Sequence, residues 1–508
     1  MYTFSSRLKT FAIILMVLGA FGIVYGFYMA PKTIADVEAI LENEASEHHG
    51  GHAATEIHST TSETRTSIEQ QTETGHHEDT DATMADSVHV DTIAITPVAD
   101  MHHDTQIVTE ESTVSQTVKK TENSSHDLHN DHAAHEKHLE HVLHQLQNKP
   151  WAALYIACIF MMLIALGVLA FYAIQQVAQA GWSPVLFRVM QGITAYLPIG
   201  SVLFFILLVL TGLHFNHLFV WMKEGVDVVG HENYDAIVAK KTGYLNVPAW
   251  LIRAAIFLVG WNLYRYFSRR NCLLQDESND NGYFKKNFNI SAGFLVFFIV
   301  TESIMSWDWI MSVDPHWYST LFGWYVFASF FVSGITVIAL VTLYMKSRGF
   351  LEYVNTSHIH DLAKFMFGIS IFWTYLWFSQ FMLIWYSNIP EEVTYFITRI
   401  DDYNLPFFGM VVMNFVFPLL ILINTDFKRL TWIIVMAGTI ILLGHYVDFF
   451  MMIMPATVGD RWFIGISEIS SLLFFIGLFI FVVFTALTKS PLLPKRHPLI
   501  EESKHFHY

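Results

Sequence analysis

The chain has 508 residues, 53% hydrophobic and 15% charged, with a mean hydropathy of +0.38 and a formal net charge of -16. That balance excludes an ordinary water-soluble globular protein of this size. The acidity is local: residues 32–150 hold 23 Asp/Glu against 6 Lys/Arg, and the remainder holds 22 against 23, so no basic partner is implied for the chain as a whole. Two cysteines, Cys158 and Cys272, exclude a disulfide framework and a four-thiolate iron–sulfur cluster, and the absence of CxxCH excludes covalent c-type haem.

In chain order, the first apolar run, Phe11 to Met29, follows Arg7 and Lys9. It is too long for a signal-peptide core and reads as a retained helix. Residues 32–150 then form an acidic insertion. Its stretch from Ala45 to Ser125 is rich in Ser, Thr, Glu and His and poor in aromatics, so it buries too little apolar surface to offset its ordering entropy, and disorder is expected. Sixteen of the 26 histidines fall between His48 and His144, seven of them at every third position from His126. A step of three drifts around a helix, so they build no single metal-binding face, although neighbouring pairs could share a metal. Leu139, Val142, Leu143 and Leu146 have helical spacing and predict a short surface helix ending at Pro150.

Nine further runs, about 151–173, 194–213, 248–267, 288–311, 318–345, 362–388, 406–424, 430–454 and 463–488, are each long and apolar enough to cross a bilayer, which takes roughly 20 residues of helix. With the N-terminus inside, the inner side collects 17 Lys/Arg and the outer short loops collect 5, so both termini are expected to be cytoplasmic. The expected divisions are 1–31 (first transmembrane helix), 32–150 (insertion, outside), 151–311, 312–454 and 455–508 (last helix and tail).

Ionisable residues inside a membrane are costly and mark candidate sites. At about 1.5 Å rise per residue, Arg253, Glu302, His445, Asp448 and Glu468 fall in the outer half, with His214, His217 and Asp308 at its boundary. The inner half offers no comparable set; Arg188, His358, His360 and Asp361 sit at its edge. His445 and Asp448 are three apart and share a helix face. His214 and His217 read equally well as interfacial, and Glu302 equally well as a structural partner of Arg253. Ser357 is the expected N-cap of the seventh span, with Asp361 complementing the helix dipole. An internal echo pairs DWIMSVDP at Asp308 with DFFMMIMP at Asp448; a repeat of four spans would place these segments equivalently.

The segments TGLHFNHLFVWMKEG, ESIMSWDWIMSVDPHWYSTLFGWYVFASFFVSG, HIHDLAKFMFGISIFWTYLWFSQFMLIWYSNIPEE and GHYVDFFMMIMP, with the opening SSRLKTFAIILMVLGAFGIVYGF, resemble the NrfD-like integral membrane subunits of bacterial alternative complex III, a quinol:cytochrome c oxidoreductase. The resemblance covers nearly all of the chain outside the insertion. It implies an all-α integral membrane protein of ten transmembrane helices, with two four-helix bundles (spans 2–5 and 6–9) and flanking helices 1 and 10, in a bacterial inner membrane. It also implies partners: an iron–sulfur protein, haem c subunits, small membrane subunits and a sister quinol-binding membrane subunit. Haem and iron–sulfur clusters then belong to those partners, and quinone or quinol is the one cofactor to consider here, with none covalently bound.

From this follows an expected role for His445, Asp448, Asp308 and Glu302 as an outward proton path or quinone pocket, with Arg253 balancing the carboxylates and His214 and Glu468 as outlying members. No residue is expected to be catalytic or to bind metal. The competing classes are a scaffold without chemistry and a secondary transporter.

Overall fold

A computed structural model describes residues 2–49 and 119–507. They are all-α, and among them ten helices are long and apolar enough to cross a membrane: α1 (Ser6–Met29), α2 (His135–Val177), α3 (Pro184–Gly212), α4 (Val247–Gln275), α5 (Gly282–Val313), α6 (Phe322–Ser347), α7 (Thr356–Ser387), α8 (Asn404–Leu422), α9 (Thr431–Val458) and α10 (Ile466–Leu487). Their outward faces carry bare apolar side chains such as Val202, Ile206, Val259, Val296 and Tyr386. A surface of that kind is stable only against lipid, and the chain is a multi-pass membrane protein.

Two compact units are present. The first comprises Met1–Ala39 and Lys137–Tyr508 and contains the membrane helices; the second is Ile40–Glu136. Within the second, residues 40–49 and 119–136 are helical. Most of the stretch expected to be disordered, and most of the histidine-rich run, lie outside the described residues.

The most apolar stretches of α2 and α6 are almost wholly buried, and these two helices form the centre of the first unit. They meet through glycine. A Cβ on Gly334 would come within 2.9 Å of the Val168 backbone nitrogen, and one on Gly167 within 2.6 Å of the Phe330 carbonyl oxygen. Close backbone approach of this sort is how helices associate in lipid, where no hydrophobic force drives them together. Around this pair, α4 packs on α5, α6 on α7 and α9, and α8 on α9. Helix α1 instead leans on α10. Gly19, Gly22 and Gly26 fit against Phe474, Ser470 and Ser467, and Gly477 fits against the Ala12 carbonyl.

Two expectations about helix ends are corrected. The helix before Pro150 does not stop there: one helix runs from Lys119 to Val177 with Pro150 inside it. Proline removes one backbone hydrogen bond, yet the neighbouring Asn148 anchors the register, exchanging bonds with the backbone of His217 (Nδ2 to O, 3.0 Å; Oδ1 from N, 3.0 Å). The cap of α7 is Asn355 rather than Ser357. Its Oδ1 accepts from the backbone of Ser357 and His358, while the His358 ring accepts from the Asn355 N–H, completing a capping box.

Candidate functional site

Among the residues expected on the outer side, the buried polar chemistry falls into two groups. In the first, Asp308 at the end of α5 receives Arg253 of α4 as a two-pronged ion pair, Nε to Oδ2 at 2.6 Å and NH2 to Oδ1 at 3.1 Å. The Asp308 carbonyl is also used, accepting from the Trp250 indole at 2.8 Å and the Ser312 hydroxyl at 2.7 Å. Tyr244, outside the membrane helix, lies under the Arg253 guanidinium; burial, and then the Asp308 charge, push its phenol pKa up. Glu302 is not the partner of Arg253. It is buried six residues earlier on α5, a step that turns its side chain away from that of Asp308, its Oε2 accepting from Ser303 and its Oε1 without a partner among the described residues.

The second group is fully enclosed. His445 and Asp448 on α9 are both completely buried, with Nδ1 and Oδ2 3.4 Å apart. Asp448 accepts from the Tyr325 hydroxyl of α6 through Oδ1 and from the Trp373 indole of α7 through Oδ2 at 2.8 Å. His445 shares Nδ1 with the Ser329 hydroxyl at 3.0 Å, and its Nε2 has no partner. The result is a continuous polar chain, Tyr325, Asp448, His445 and Ser329, drawn from two facing helices and closed by a tryptophan.

Tyr325 also borders a cavity of about 10 Å³, shared with Gln380 of α7, Met451 of α9, and Tyr395 and Arg399 of the short helix Pro390–Asp401. Arg399 is buried although its helix is too short and polar to cross the membrane. Its guanidinium lies over the Tyr395 ring and donates to two carbonyls, Tyr395 at 2.7 Å and Met451 at 3.1 Å. Burial depresses its pKa and raises that of Tyr395. Tyr325 was missed because aromatics are too common here to stand out, Trp373 and Gln380 because their aromatic run reads equally well as core packing, and Arg399 because it reads as a loop charge. The i, i+4 spacing of Tyr395 and Arg399 was the available signal.

The remaining expected members are not brought into either group. His214 is exposed in a left-handed turn (φ 61°), and His217 instead meets the His144 ring edge to face. Glu468 is the capping residue of α10, its Oε2 accepting from the Gly465 N–H at 2.8 Å. The echo of Asp308 and Asp448 is partial: both are buried, but Asp308 lies on the last α-helical turn before Trp309 with Pro315 beyond the end of α5, whereas Asp448 lies well inside α9, which continues through Pro455 to Val458. Among the described residues no cluster of three or more His, Cys, Asp or Glu could hold a metal ion.

Buried polar groups also occur away from these two, around Arg188, which the sequence places at the inner edge. Arg188 is buried and pairs with Asp276 at 2.5 Å. Beside it the Tyr172 hydroxyl accepts from Gln176, Gln191, Ser268 and Asn287 at 3.0–3.3 Å. These are neutral side chains, invisible to a search for ionisable ones.

The C-terminal segment closes this end. Gln275 donates to the Arg496 carbonyl at 3.2 Å, the His497 ring meets Phe187 and Phe284 edge to face, and Ser503 accepts from the Val185 N–H and donates to the Trp182 carbonyl. No model of a known protein family matches this sequence, and no curated protein is found to be similar to it.

Proposed function

We propose that the chain is a membrane subunit of a respiratory quinol:cytochrome c oxidoreductase of the alternative complex III type. In this reading α2–α5 and α6–α9 act as two four-helix bundles flanked by α1 and α10, in a bacterial inner membrane with both termini cytoplasmic. Haem and iron–sulfur clusters reside in the partner subunits. Quinol oxidation, which releases two protons per quinol, takes place in the sister membrane subunit.

The part assigned to this chain is to carry protons toward the outer face. The observation that carries this reading is the buried line of Tyr325, Asp448, His445 and Ser329 opening beside the Gln380–Arg399 cavity. A cavity of about 10 Å³ has room for one water and none for a quinone ring, so the residues do not fit a head-group pocket and no step is routed through a quinone here. What fits is proton handling. Asp448 is an acceptor set among three donors, Tyr325 can pass its hydroxyl proton to it, and His445 has one ring nitrogen in the chain and one free, the arrangement a relay needs. Arg399 is a fixed positive charge that keeps this end of the path from accumulating excess protons.

A scaffold role has its own support in Asp308 and Glu468, which are committed to an ion pair and a helix cap. Purification in mild detergent, with identification of co-purifying chains, tests the assignment to a complex. His445→Gln and Asp448→Asn test the chemistry. The proposal requires normal assembly with slowed quinol:cytochrome c turnover; parental turnover in both leaves the scaffold. Recovery of the chain alone, with solute uptake in vesicles, favours a transporter.

A further inference from the structure

Helix α4 carries one stripe whose chemistry the proton path does not use. Leu258, Asn262, Arg265 and Arg269 recur at steps of four, three and four, so they lie along one face of the helix. At the outer part of this stripe an open groove of about 490 Å³ separates α3 from α4. Its walls include Pro198, Val202, Ala255 and Leu258, and its polar content is Ser201 and Asn262. The Asn262 amide donates to the Ser201 hydroxyl at 2.9 Å and to the Leu258 carbonyl at 2.8 Å. At about 1.5 Å per residue the α4 wall, Ala255 to Asn262, runs about 10 Å along the helix. That suits a stretch of acyl chain.

Arg265 and Arg269 follow about 4 and 10 Å beyond Asn262, toward the end of the helix that bears the tail. Neither has an acidic partner among the described residues. Asp276, further along the same helix end, is taken by Arg188. Among the described residues the Arg265 Nε is buried without a hydrogen-bond partner. Arg269 reaches only the Gln191 carbonyl and the Ser490 hydroxyl, each at 3.4 Å, the weak limit of a hydrogen bond. Two adjacent guanidiniums held this loosely at the membrane edge are costly unless an anion joins them.

We propose that this seam is a binding site for an anionic phospholipid, its phosphate held by Arg265 and Arg269, its glycerol region beside Asn262 and Ser201, and one acyl chain in the α3–α4 groove. Basic pockets between helices at a membrane surface take lipid head groups in this way. The apolar groove selects a lipid over free phosphate, and the charge selects an anionic lipid over a zwitterionic one. The site is independent of the redox assignment and rests only on the chain's being a membrane protein.

The test is native mass spectrometry of the full chain in detergent, titrated separately with dioleoylphosphatidylglycerol, dioleoylphosphatidylcholine and inorganic phosphate. Phosphatidylglycerol should be retained at concentrations about tenfold or more below those needed for phosphatidylcholine, and phosphate should not displace it. R265Q/R269Q should abolish the preference, and Ala255→Phe, which fills the groove, should weaken both lipids. Equal retention of the two lipids, a preference that survives R265Q/R269Q, or displacement by phosphate overturns the proposal. If R265Q/R269Q does not yield monodisperse protein, undiminished retention by Ala255→Phe overturns it alone.

Discussion

The Tyr325 hydroxyl and the Asp448 carboxylate meet in the interior of the α6–α9 contact, each at zero or near-zero exposure, with Trp373 closing the other carboxylate oxygen. If this pair carries protons, Tyr325→Phe removes the relay hydroxyl while keeping the ring's packing. The expected outcome is unchanged yield and a loss of about tenfold or more in quinol:cytochrome c turnover, read on the purified complex. Trp373→Phe removes a donor that cannot pass a proton onward and should cost far less.

The Arg253–Asp308 pair should behave differently. Asp308 is fully buried and the Arg253 side chain is one-fifth exposed, so Arg253→Met strands a charge that only the membrane edge can solvate. A destabilisation of about 2–4 kcal/mol is expected from breaking such a pair, seen as a lower thermal midpoint in detergent. Arg253→Met with Asp308→Leu together should recover much of it. A double variant less stable than the single would show the pair to be more than mutual neutralisation.

His497 makes the tail acid-sensitive. Its ring is enclosed between Phe187 and Phe284, and burial lowers its pKa to about 4, with the Asp276 charge opposing and Arg188 assisting. A histidine freed from this site titrates near 6.5. Between those values the released tail binds more protons than the docked one, so docking is at full strength above pH 6.5 and is lost as pH falls toward 4. The loss is about 3 kcal/mol at most. Hydrogen exchange of residues 495–507 should accelerate over that interval, and His497→Phe should flatten the dependence.

Sidedness is testable because both native cysteines are buried. Val229→Cys, in an exposed loop, should react with an impermeant maleimide added outside cells. Ser347→Cys, exposed at the opposite end of α6, should react only after permeabilisation. The reverse pattern would invert the membrane orientation and the direction of the proposed proton path.

The ten helices were legible because a bilayer demands a long apolar run from each of them, and that demand is written locally. Helix ends were less so. Pro150 reads as a stop, and only the cross-chain anchoring of Asn148 explains why the helix continues. His445 and Asp448 were found from their spacing, since one helix face is a local property. Which carboxylate meets Arg253 depends on how α5 is rotated against α4, and no local pattern carries that angle; Asp308 rather than Glu302 was therefore a structural finding. The Tyr172 cluster escaped for a different reason. Tyrosine, glutamine and serine cost little in sequence terms, and only their convergence on one oxygen reveals a polar interior.

The glycine seam between α1 and α10 also bears on how the protein is made. These helices are far apart in sequence, and α1 is left largely bare by the helices other than α10. Little else therefore holds α1 in place until α10 is beside it. A chain lacking α10 would leave the glycine face of α1 open to pairing with a foreign small-residue helix. The placement of the one helix is thus conditional on the arrival of the other.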